Sequence, residues 1–593
     1  MLYRWYTSSP EKPEAPFEAC ATQEPREGLV FRALNLTPLK WWIDDAGSNW
    51  RICAVTLELE RELTGARFAE IGHPYCLFRD SNQRYVAIGS SFGHLGWPGR
   101  TYYQGQAIQH RVSLYDDSFQ QRIAVLNLSA RWPINDIAFH PVETKLLIGT
   151  GDYDGGFCFE GELLLWDWTS GEIRSLLAER REVMRCCFNA DGTITAILRP
   201  RNEEEHWEPS PETEPTDSGD LYVAVTITDE PPPPLSQYED PRLQNLLPSD
   251  PEAAGLPIHP ISFPMDLTES DKSHLKDLGF RERPFIRDLL WIDDETIAAT
   301  HGGCHLELWS SHGGCASSFA GAGHGVELLP HTNGGCLVNV FQTGDYREQT
   351  RDRSTLLAYG RDELTPFASF DHACSVTSDP RGNILARNVE YAGGRPREDT
   401  FLGHDGGIVF ETDLGHYDTF NHCLRLQGER LYFLRGTPPE SHLNKVLCTL
   451  DRDGRLVELA PWDEPISHLM SPVAVFVSEH DLVRAAEVYS NSSARISAIE
   501  RYCTKTGKVL WRTPMENGSF TALATVPASD QIVYAQANGS FGLIDANSGT
   551  LGVDSPLSVD GVPTIITALS IRDDRLVAGT IDGRILLFRV EAP

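Results

Sequence analysis

The chain has 593 residues, of which 41% are hydrophobic and 9% aromatic, so we expect two or more folding units with packed cores. Its formal net charge is −33, which disfavours nucleic acid as a partner because phosphate repels an acidic surface. No run reaches the ~18 apolar residues of a membrane helix. The first twenty residues also lack the apolar segment of a signal peptide.

The 13 cysteines lie mostly inside predicted strands, as in VMRCCFN and KVLCTL. An odd number of cysteines in such positions is typical of buried, reduced thiols. Together with the missing signal peptide, this pattern predicts a cytoplasmic protein.

Residues 1–27 are rich in Pro and Glu and are predicted to form an irregular arm. The stretch 28–61 alternates well enough to supply strands. Repeats of short apolar runs follow, separated by tight turns. They span 75–128, 134–177 and 183–228. In the third repeat, residues 202–219 hold six Glu, one Asp and no Lys or Arg, which predicts a disordered acidic loop.

Residues 229–283 interrupt the repeats and are predicted to be a Pro-rich linker with short helices. The linker opens with DEPPPPLSQYED, a stiff spacer. DPRLQNLLP then favours one short helix, and SDKSHLKDLG favours a second that ends at Gly279. Between the helices, residues 256–263 can form a lone strand.

Seven further repeats follow in residues 284–593, with first strands near 286, 326, 373, 422, 471, 520 and 565. The last repeat shows the pattern most clearly, since Asp582-Gly583 between two apolar runs is a strong hairpin signal. That repeat ends after only three strands. We therefore expect its fourth strand to come from 256–263 or from the N-terminal region, because closing a ring of sheets removes exposed edges.

The repeats resemble known families at three places. ELLLWDWTSGEI (162–173) is similar to part of a WD-repeat blade, and CTKTGKVLW (503–511) and IDANSGTLG (544–552) are similar to quinoprotein-type repeats. The resemblance covers most of the chain outside 1–27 and 229–283. It implies an all-β β-propeller fold and a scaffold whose relatives mostly bind proteins.

Each repeat has four strands, a to d, and the long insertions fall between strands b and c. They cover roughly 91–109, 151–160, 200–218, 343–353, 391–406 and 437–444. In propellers, all b–c loops emerge on one face, and insertions commonly build the binding face. Three of these loops carry Arg, Tyr and Trp, the residue types that dominate interface hot spots. The candidate protein-binding residues are Trp97, Arg100, Tyr102, Tyr103, Tyr346, Arg347, Arg351, Arg353, Tyr391, Arg395 and Arg397. Tolerated surface drift is the alternative explanation.

Several chemical motifs are present but do not support a chemical function. Ser91 matches the G-x-S-x-G pattern, but no helix is predicted after it, so we do not expect a nucleophile. His301-Gly-Gly-Cys304 and His312-Gly-Gly-Cys315 resemble halves of a metal site. Their glycines align with blade turns, and zinc needs four convergent ligands. The sequence thus predicts no catalytic, cofactor-binding or metal-binding residue.

The sequence as a whole predicts an all-β protein with a seven-bladed C-terminal ring over 284–593. The N-terminal propeller-like repeats of 28–228 belong to a second or shared propeller. The predicted function is a non-enzymatic scaffold for protein partners within a larger assembly. A small-molecule-binding or catalytic site at the mouth of the central channel is the alternative. The side chains that line the channel mouth distinguish the scaffold function from the alternative.

Overall fold

The computed structural model describes most of the chain from residue 56 onward. The described residues are 56–65, 68–92, 109–128, 132–153, 159–177, 180–199, 223–227, 268–280, 282–344, 352–360, 362–389, 399–415, 423–424, 430–436, 445–450, 454–463, 469, 473–488, 496–515, 520–527 and 529–591. The predicted arm, the acidic loop and the strand candidate 256–263 lie outside these ranges.

Three antiparallel sheets, N1 to N3, follow the first strand β1 (Thr56–Glu62), which belongs to none of them. N1 contains β2 (His73–Arg79), β3 (Tyr85–Phe92), β4 (Gln109–Asp116) and β5 (Arg122–Leu128). N2 contains β6 (Ile134–Phe139), β7 (Lys145–Thr150), β10 (Leu163–Asp167) and β11 (Ile173–Ser175), with the short ladder β8 (Asp152–Tyr153) and β9 (Phe159–Glu160) between β7 and β10. N3 contains β12 (Val183–Phe188), β13 (Ile194–Leu198) and β14 (Val223–Ile227).

Seven further sheets, C1 to C7, follow after residue 284. C1 contains β15 (Ile286–Trp291), β16 (Thr296–His301), β17 (Cys304–Ser310) and β18 (Cys315–Phe319); C2 contains β19 (His324–Pro330), β20 (Cys336–Gln342), β21 (Arg353–Gly360) and β22 (Glu363–Phe370). C3 contains β23 (Cys374–Ser378), β24 (Ile384–Asn388), β25 (Asp399–Leu402) and β26 (Ile408–Thr412); C4 contains β27 (Cys423–Leu424), β28 (Tyr432–Gly436), β29 (Lys445–Leu450) and β30 (Leu456–Pro461).

C5 contains β31 (Ala474–Phe476), β32 (Asp481–Val488), β33 (Ile496–Cys503) and β34 (Lys508–Met515). C6 contains β35 (Phe520–Thr525), β36 (Gln531–Gln536), β37 (Ser540–Asp545) and β38 (Leu551–Pro556), and the hairpin β39 (Ser558–Val559) and β40 (Val562–Pro563) follows it. C7 contains β41 (Ile566–Arg572), β42 (Arg575–Thr580) and β43 (Ile585–Glu591). The predicted first strands of these repeats are therefore confirmed within a few residues.

Consecutive residues of the second strands are buried, as in KLLIGT of β7 and RLVAGT of β42, where every residue after the first is buried. Sheets stacked face to face bury both sides of such strands, so strict alternation is lost. A separate apolar cluster fills each interface between consecutive sheets from C1 to C7, and another lies between C7 and C1. The sheets C1 to C7 therefore form a closed ring.

A β-bulge near the start of strand a recurs in several sheets, and in some of them its extra residue bonds to the next sheet. The hydroxyl of Thr521 donates to the carbonyl of Ile566 at 2.6 Å, and Thr567 does the same to Ile286 at 2.6 Å. Asn135 reaches the carbonyl of Val183 at 3.2 Å in the N-terminal sheets. A bulge re-aims a side chain in this way, so one local device links neighbouring sheets. The Thr567 bond joins the last sheet of the ring to the first.

The fourth strand of C7 is β1, which pairs antiparallel with β43 from Thr56 opposite Glu591 to Glu62 opposite Leu586. Leu57 enters the core between C6 and C7, and Leu63 enters the core between C7 and C1. Of the two sources expected from sequence, the N-terminal region is thus the one observed. Because β1 precedes the N-terminal sheets, the chain begins and ends its described course in the same sheet.

The N-terminal sheets stack in order, with one apolar cluster between N1 and N2 and another between N2 and N3. The other face of N1 packs against a 3₁₀ turn (Ala69–Ile71) and helix α1 (Glu269–Asp277). Helix α1 is the second predicted helix of the linker. Thr268 caps its start, and Gly279, at a φ of 90°, follows its end as predicted. The linker therefore supplies a helix that covers N1.

Candidate protein-binding face

The connections between strands b and c lie at one edge of each sheet, because consecutive strands of an antiparallel sheet reverse direction. We call this edge the b–c rim. Its longer connections are 93–108, 154–158, 200–222, 345–351, 390–398, 437–444 and 489–495, none of them among the described residues.

One predicted loop needs correction, and one long connection was not predicted. The predicted loop 391–406 is wrong at its end, because strand β25 occupies Asp399–Leu402 and residues 403–407 turn at the opposite edge. The connection 489–495 in C5 was missed, since its small polar residues do not stand out from an ordinary turn.

Ten of the eleven candidate binding residues fall outside the described parts of the chain, so their roles stay predictions. They are Trp97, Arg100, Tyr102, Tyr103, Tyr346, Arg347, Arg351, Tyr391, Arg395 and Arg397. The eleventh, Arg353, is exposed at the start of β21, where it pairs in register with Gln342.

The ends of the connection 345–351 are joined by a hydrogen bond. The backbone N–H of Gly344 donates to Asp352 Oδ1 at 2.8 Å. The neighbouring Gln342 side chain donates to the carbonyl of Ala322 at 2.9 Å, in the segment that leads into C2. This connection therefore starts and ends at fixed points on the rim.

A buried ion pair holds the ends of the connection 390–398. Arg387 lies at the end of β24 and Asp399 at the start of β25, and both side chains are fully buried. The guanidinium reaches both carboxylate oxygens at 3.4 Å, and it also donates to the carbonyl of Gly415 at 2.6 Å. The Asp399 carboxylate accepts the backbone N–H groups of Asn388 and Leu414, each at 3.2 Å. Every strong hydrogen-bonding group here has partners, as a buried pair requires.

Lys445 and Asp463 play the same part in C4. The Lys445 ammonium lies 2.8 Å from Asp463 Oδ1, and the Lys445 backbone N–H donates to Oδ2 at 2.7 Å. The carboxylate also accepts the N–H of Leu469 at 2.8 Å. Burial lowers the pKa of Lys445, and the Asp463 charge opposes that effect. This pair anchors one end of 437–444 and both ends of 464–468.

The b–c turn of C7 is covered by sheet N1. Arg111 of β4 and Asp582 are both fully buried, with Nη1 and Oδ2 3.2 Å apart. Thr564 and Thr580 donate to Asp582 Oδ1 at 2.8 and 2.6 Å, and Arg584 lies 3.6 Å from Oδ2. Burial would raise the pKa of Asp582, but the charges of Arg584 and Arg111, together with the hydrogen bonds from Thr580 and Thr564, hold that pKa below its ordinary value.

This junction includes both ends of the predicted binding loop 91–109. Phe92 packs with Ile565 and Ile581 of the ring, and its ring lies 4.2 Å from the Arg111 guanidinium. Arg111 also donates to the carbonyl of Pro563 at 2.6 Å. The predicted loop 91–109 thus begins and ends at the junction between N1 and C7. The loops of C2 and C3 do not begin at such a junction.

Three potential ligand side chains meet at the short b–c turn of C1. His301 Nε2 lies 3.2 Å from Cys304 Sγ and 3.2 Å from Glu307 Oε1. The sequence shows the His-Gly-Gly-Cys spacing, but the contribution of Glu307 depends on strand register. The second motif, His312 to Cys315, lies at the c–d turn, at the opposite edge of the same sheet.

The remaining motifs fit structural roles. Ser91 lies within strand β3, opposite His73. Of the two adjacent cysteines in VMRCCFN, Cys186 is buried and Cys187 is exposed. Of the nine cysteines whose side chains the structure describes, six are buried, as predicted. Among the described residues, no helix is long and apolar enough to cross a membrane.

No family model matches the chain, and no curated protein matches it. Among solved structures, the chain is similar to the WD40 β-propeller domain of Doa1, with 13% identity over 51% of this chain and 92% of that chain and a TM-score of 0.37. It is similar to U3-55K at 12% identity over 51% and 95% of the two chains, with a TM-score of 0.38. For BamB from Moraxella catarrhalis the identity is 15% over 51% and 83%, with a TM-score of 0.34.

Likeness at this level carries no information about partners. The assignment of the fold rests on the four-stranded antiparallel sheets of the chain itself, on their face-to-face cores and on the bond from Thr567 to Ile286 that closes the ring. The chain is a β-propeller protein, as its repeats predict.

Proposed function

We propose that this protein is a non-enzymatic scaffold that binds a protein partner, within a larger assembly, through the b–c rim of its ring. The observation that carries the proposal is the anchoring of the long b–c connections. Their ends are held by buried ion pairs, Arg387–Asp399 and Lys445–Asp463, and by hydrogen bonds that backbone N–H groups donate to the carboxylates of these pairs. Anchored ends lower the conformational entropy that a loop loses when a partner binds.

The chemistry of the connections in C2 and C3 supports a protein partner. They contain Tyr346, Arg347 and Arg351, and Tyr391, Arg395 and Arg397. Arg and Tyr are enriched at binding hot spots because they bury much area and donate directed hydrogen bonds. The junction with N1 covers the rim at C7, so we place the binding surface on the opposite part of the ring, at C2 to C5. A cytoplasmic location is part of the proposal, supported by the buried thiols.

The proposal is tested by locating the partner on the protein. The full chain is used to capture partners from cells of its source, and the purified complex is chemically cross-linked and analysed by mass spectrometry. Cross-links should concentrate on residues 345–351, 390–398, 437–444 and 489–495. Cross-links confined to the opposite edge, for instance at the exposed Lys505 and Lys508, would contradict the proposal.

One observation favours the alternative of a ligand site at the mouth of the central channel. Arg287 is the bulge residue of the inner strand β15, and its guanidinium lies 4.9 Å from the ring of Phe285. Its Nε is buried and has no acceptor among the described residues, and burial lowers the pKa of Arg287 to about 10. An anionic ligand would offset that desolvation. Binding of small carboxylates or phosphate by the wild type but not by Arg287→Met would support the alternative.

A further inference from the structure

The b–c turn of C1 brings together a nitrogen, a sulfur and an oxygen ligand. His301 ends β16 and Cys304 begins β17, and the two residues are paired in register across the Gly302-Gly303 turn. Glu307 is three residues further along β17. Among the described residues, His301, Cys304 and Glu307 are the one group of three or more His, Cys, Asp or Glu whose ligand atoms all lie within 4.8 Å of one another.

The spacing of the three atoms suits a tetrahedral ion. Bonds of about 2.0–2.3 Å to nitrogen, oxygen and sulfur place neighbouring ligand atoms about 3.3–3.7 Å apart. His301 Nε2 lies 3.2 Å from both Cys304 Sγ and Glu307 Oε1. An ion therefore fits among these atoms with side-chain adjustments of a few tenths of an ångström.

The surrounding groups orient two of the ligands. The indole N–H of Trp309 donates to Glu307 Oε2 at 2.9 Å, which leaves Oε1 directed at His301. The backbone N–H of Gly303 donates to His301 Nδ1 at 3.0 Å, so without an ion the imidazole carries its proton on Nε2 and donates it to Glu307. A bound ion takes the place of that proton. The imidazole proton then resides on Nδ1, the Gly303 bond is lost, and the Cys304 thiol releases its proton to solvent.

The cluster is accessible from one side. Cys304 is 3% exposed, whereas the side chains of His301 and Glu307 are 14% and 18% exposed. A buried thiolate with two partly exposed ligands leaves a fourth position toward solvent, which is the arrangement of an open three-ligand zinc site.

We propose that His301, Cys304 and Glu307 bind a divalent ion of the zinc class, with solvent as the fourth ligand. Thiolate and imidazole favour zinc and similar transition metals over magnesium or calcium, which prefer oxygen ligands. The site is independent of the partner surface proposed above.

The second His-Gly-Gly-Cys motif of the chain is a natural control for the proposed site. His312-Gly-Gly-Cys315 has the same sequence motif, but Cys315 donates its S–H to the carbonyl of Ser317 at 3.3 Å. His312 is exposed, and the described residues add no third ligand there. If the His-Gly-Gly-Cys spacing alone were enough, both motifs would bind metal. If the three-residue geometry is needed, only the first does.

The test uses the full-length protein, reduced and stripped of metal, titrated with Co²⁺ as a spectroscopic probe and with Zn²⁺ by calorimetry. A saturable near-ultraviolet band from thiolate to Co²⁺ is expected in the wild type and in the double variant His312→Ala, Cys315→Ser. Cys304→Ser should lose the band, and His301→Ala and Glu307→Gln should weaken Zn²⁺ binding at least about tenfold. Glu307→Gln keeps the volume and the Trp309 acceptor, so it remains informative if Cys304→Ser fails to fold.

Two results would overturn the proposal. One is a wild-type protein that shows no saturable thiolate band. The other is a band that survives in Glu307→Gln and Cys304→Ser at unchanged affinity, which would assign the metal to other cysteines.

Discussion

The substitution Asp582→Asn tests the junction between N1 and C7. It removes the charge that Arg111 and Arg584 contact, while the side chain keeps its size and can still accept from Thr564 and Thr580. Arg111 then remains buried without its counter-ion. Removing one partner of a buried pair costs about 3–5 kcal/mol. At about 2 °C per kcal/mol for a domain of this size, we expect the melting temperature to fall by about 6–10 °C.

A double-mutant cycle with Arg111→Met isolates the interaction. Calorimetry and urea unfolding of the wild type, both single variants and the double variant give the coupling free energy. We expect the double variant to be more stable than the sum of the single effects predicts, by about 1–3 kcal/mol, because Met leaves no buried charge. Glu269→Gln is the control, since Glu269 and Lys272 form an exposed pair that contributes at most about 0.5 kcal/mol.

The effect of Asp582 also has a predicted pH dependence. Its pKa is lower in the folded protein than in the unfolded chain, so its contribution is present above about pH 4 and is lost as the pH falls below that value. The difference between wild type and Asp582→Asn should shrink over that range. The reasoning would be refuted if Asp582→Asn and Arg111→Met each changed the free energy of unfolding only slightly and their effects added within about 0.5 kcal/mol.

Two further predictions concern the ring and the acidic loop. Deleting residues 1–64 removes strand β1 together with the buried side chains of Leu57 and Leu63. The shortened chain should therefore melt at a lower temperature and aggregate through the open edge of β43, which light scattering would detect. An unchanged melting curve would contradict closure of the ring by β1. Replacing residues 202–219 with a short Gly-Ser turn should leave the melting temperature within a few degrees of the wild-type value, because a segment of this acidic composition buries little apolar surface. A large drop in the melting temperature would show that Trp207 packs against the sheets.

The repeats were predictable from sequence because each depends on short-range signals. The Asp582-Gly583 turn is an example: Gly583 adopts a φ of 72°, as its hairpin requires. The stop of helix α1 at Gly279 was readable for the same reason.

Features that depend on distant residues were not predictable. The sequence shows that Asp582 lies in a turn. It does not show that Asp582 is buried against Arg111, which is 471 positions away. The source of the fourth strand of C7 also remained open between two segments, since both have suitable apolar patterns. The Glu307 ligand depends on how β17 pairs with β16, which spacing alone does not give.

The most direct test of the proposed scaffold function compares two sets of substitutions on opposite edges of the ring. The first changes Arg347, Arg351, Arg395 and Arg397 on the b–c rim to Ala, and the second changes the exposed Lys505 and Lys508 at a c–d turn to Ala. Substitutions outside packed cores usually alter stability by less than about 0.5 kcal/mol each, so we expect both proteins to melt nearly as the wild type does. The amount of partner captured by each is then quantified by mass spectrometry. Truncating binding anchors costs about 2 kcal/mol or more, so the b–c variant should lose at least tenfold in capture and the c–d variant should not. Full capture by the b–c variant, or loss in the c–d variant alone, would contradict a partner surface on the b–c rim.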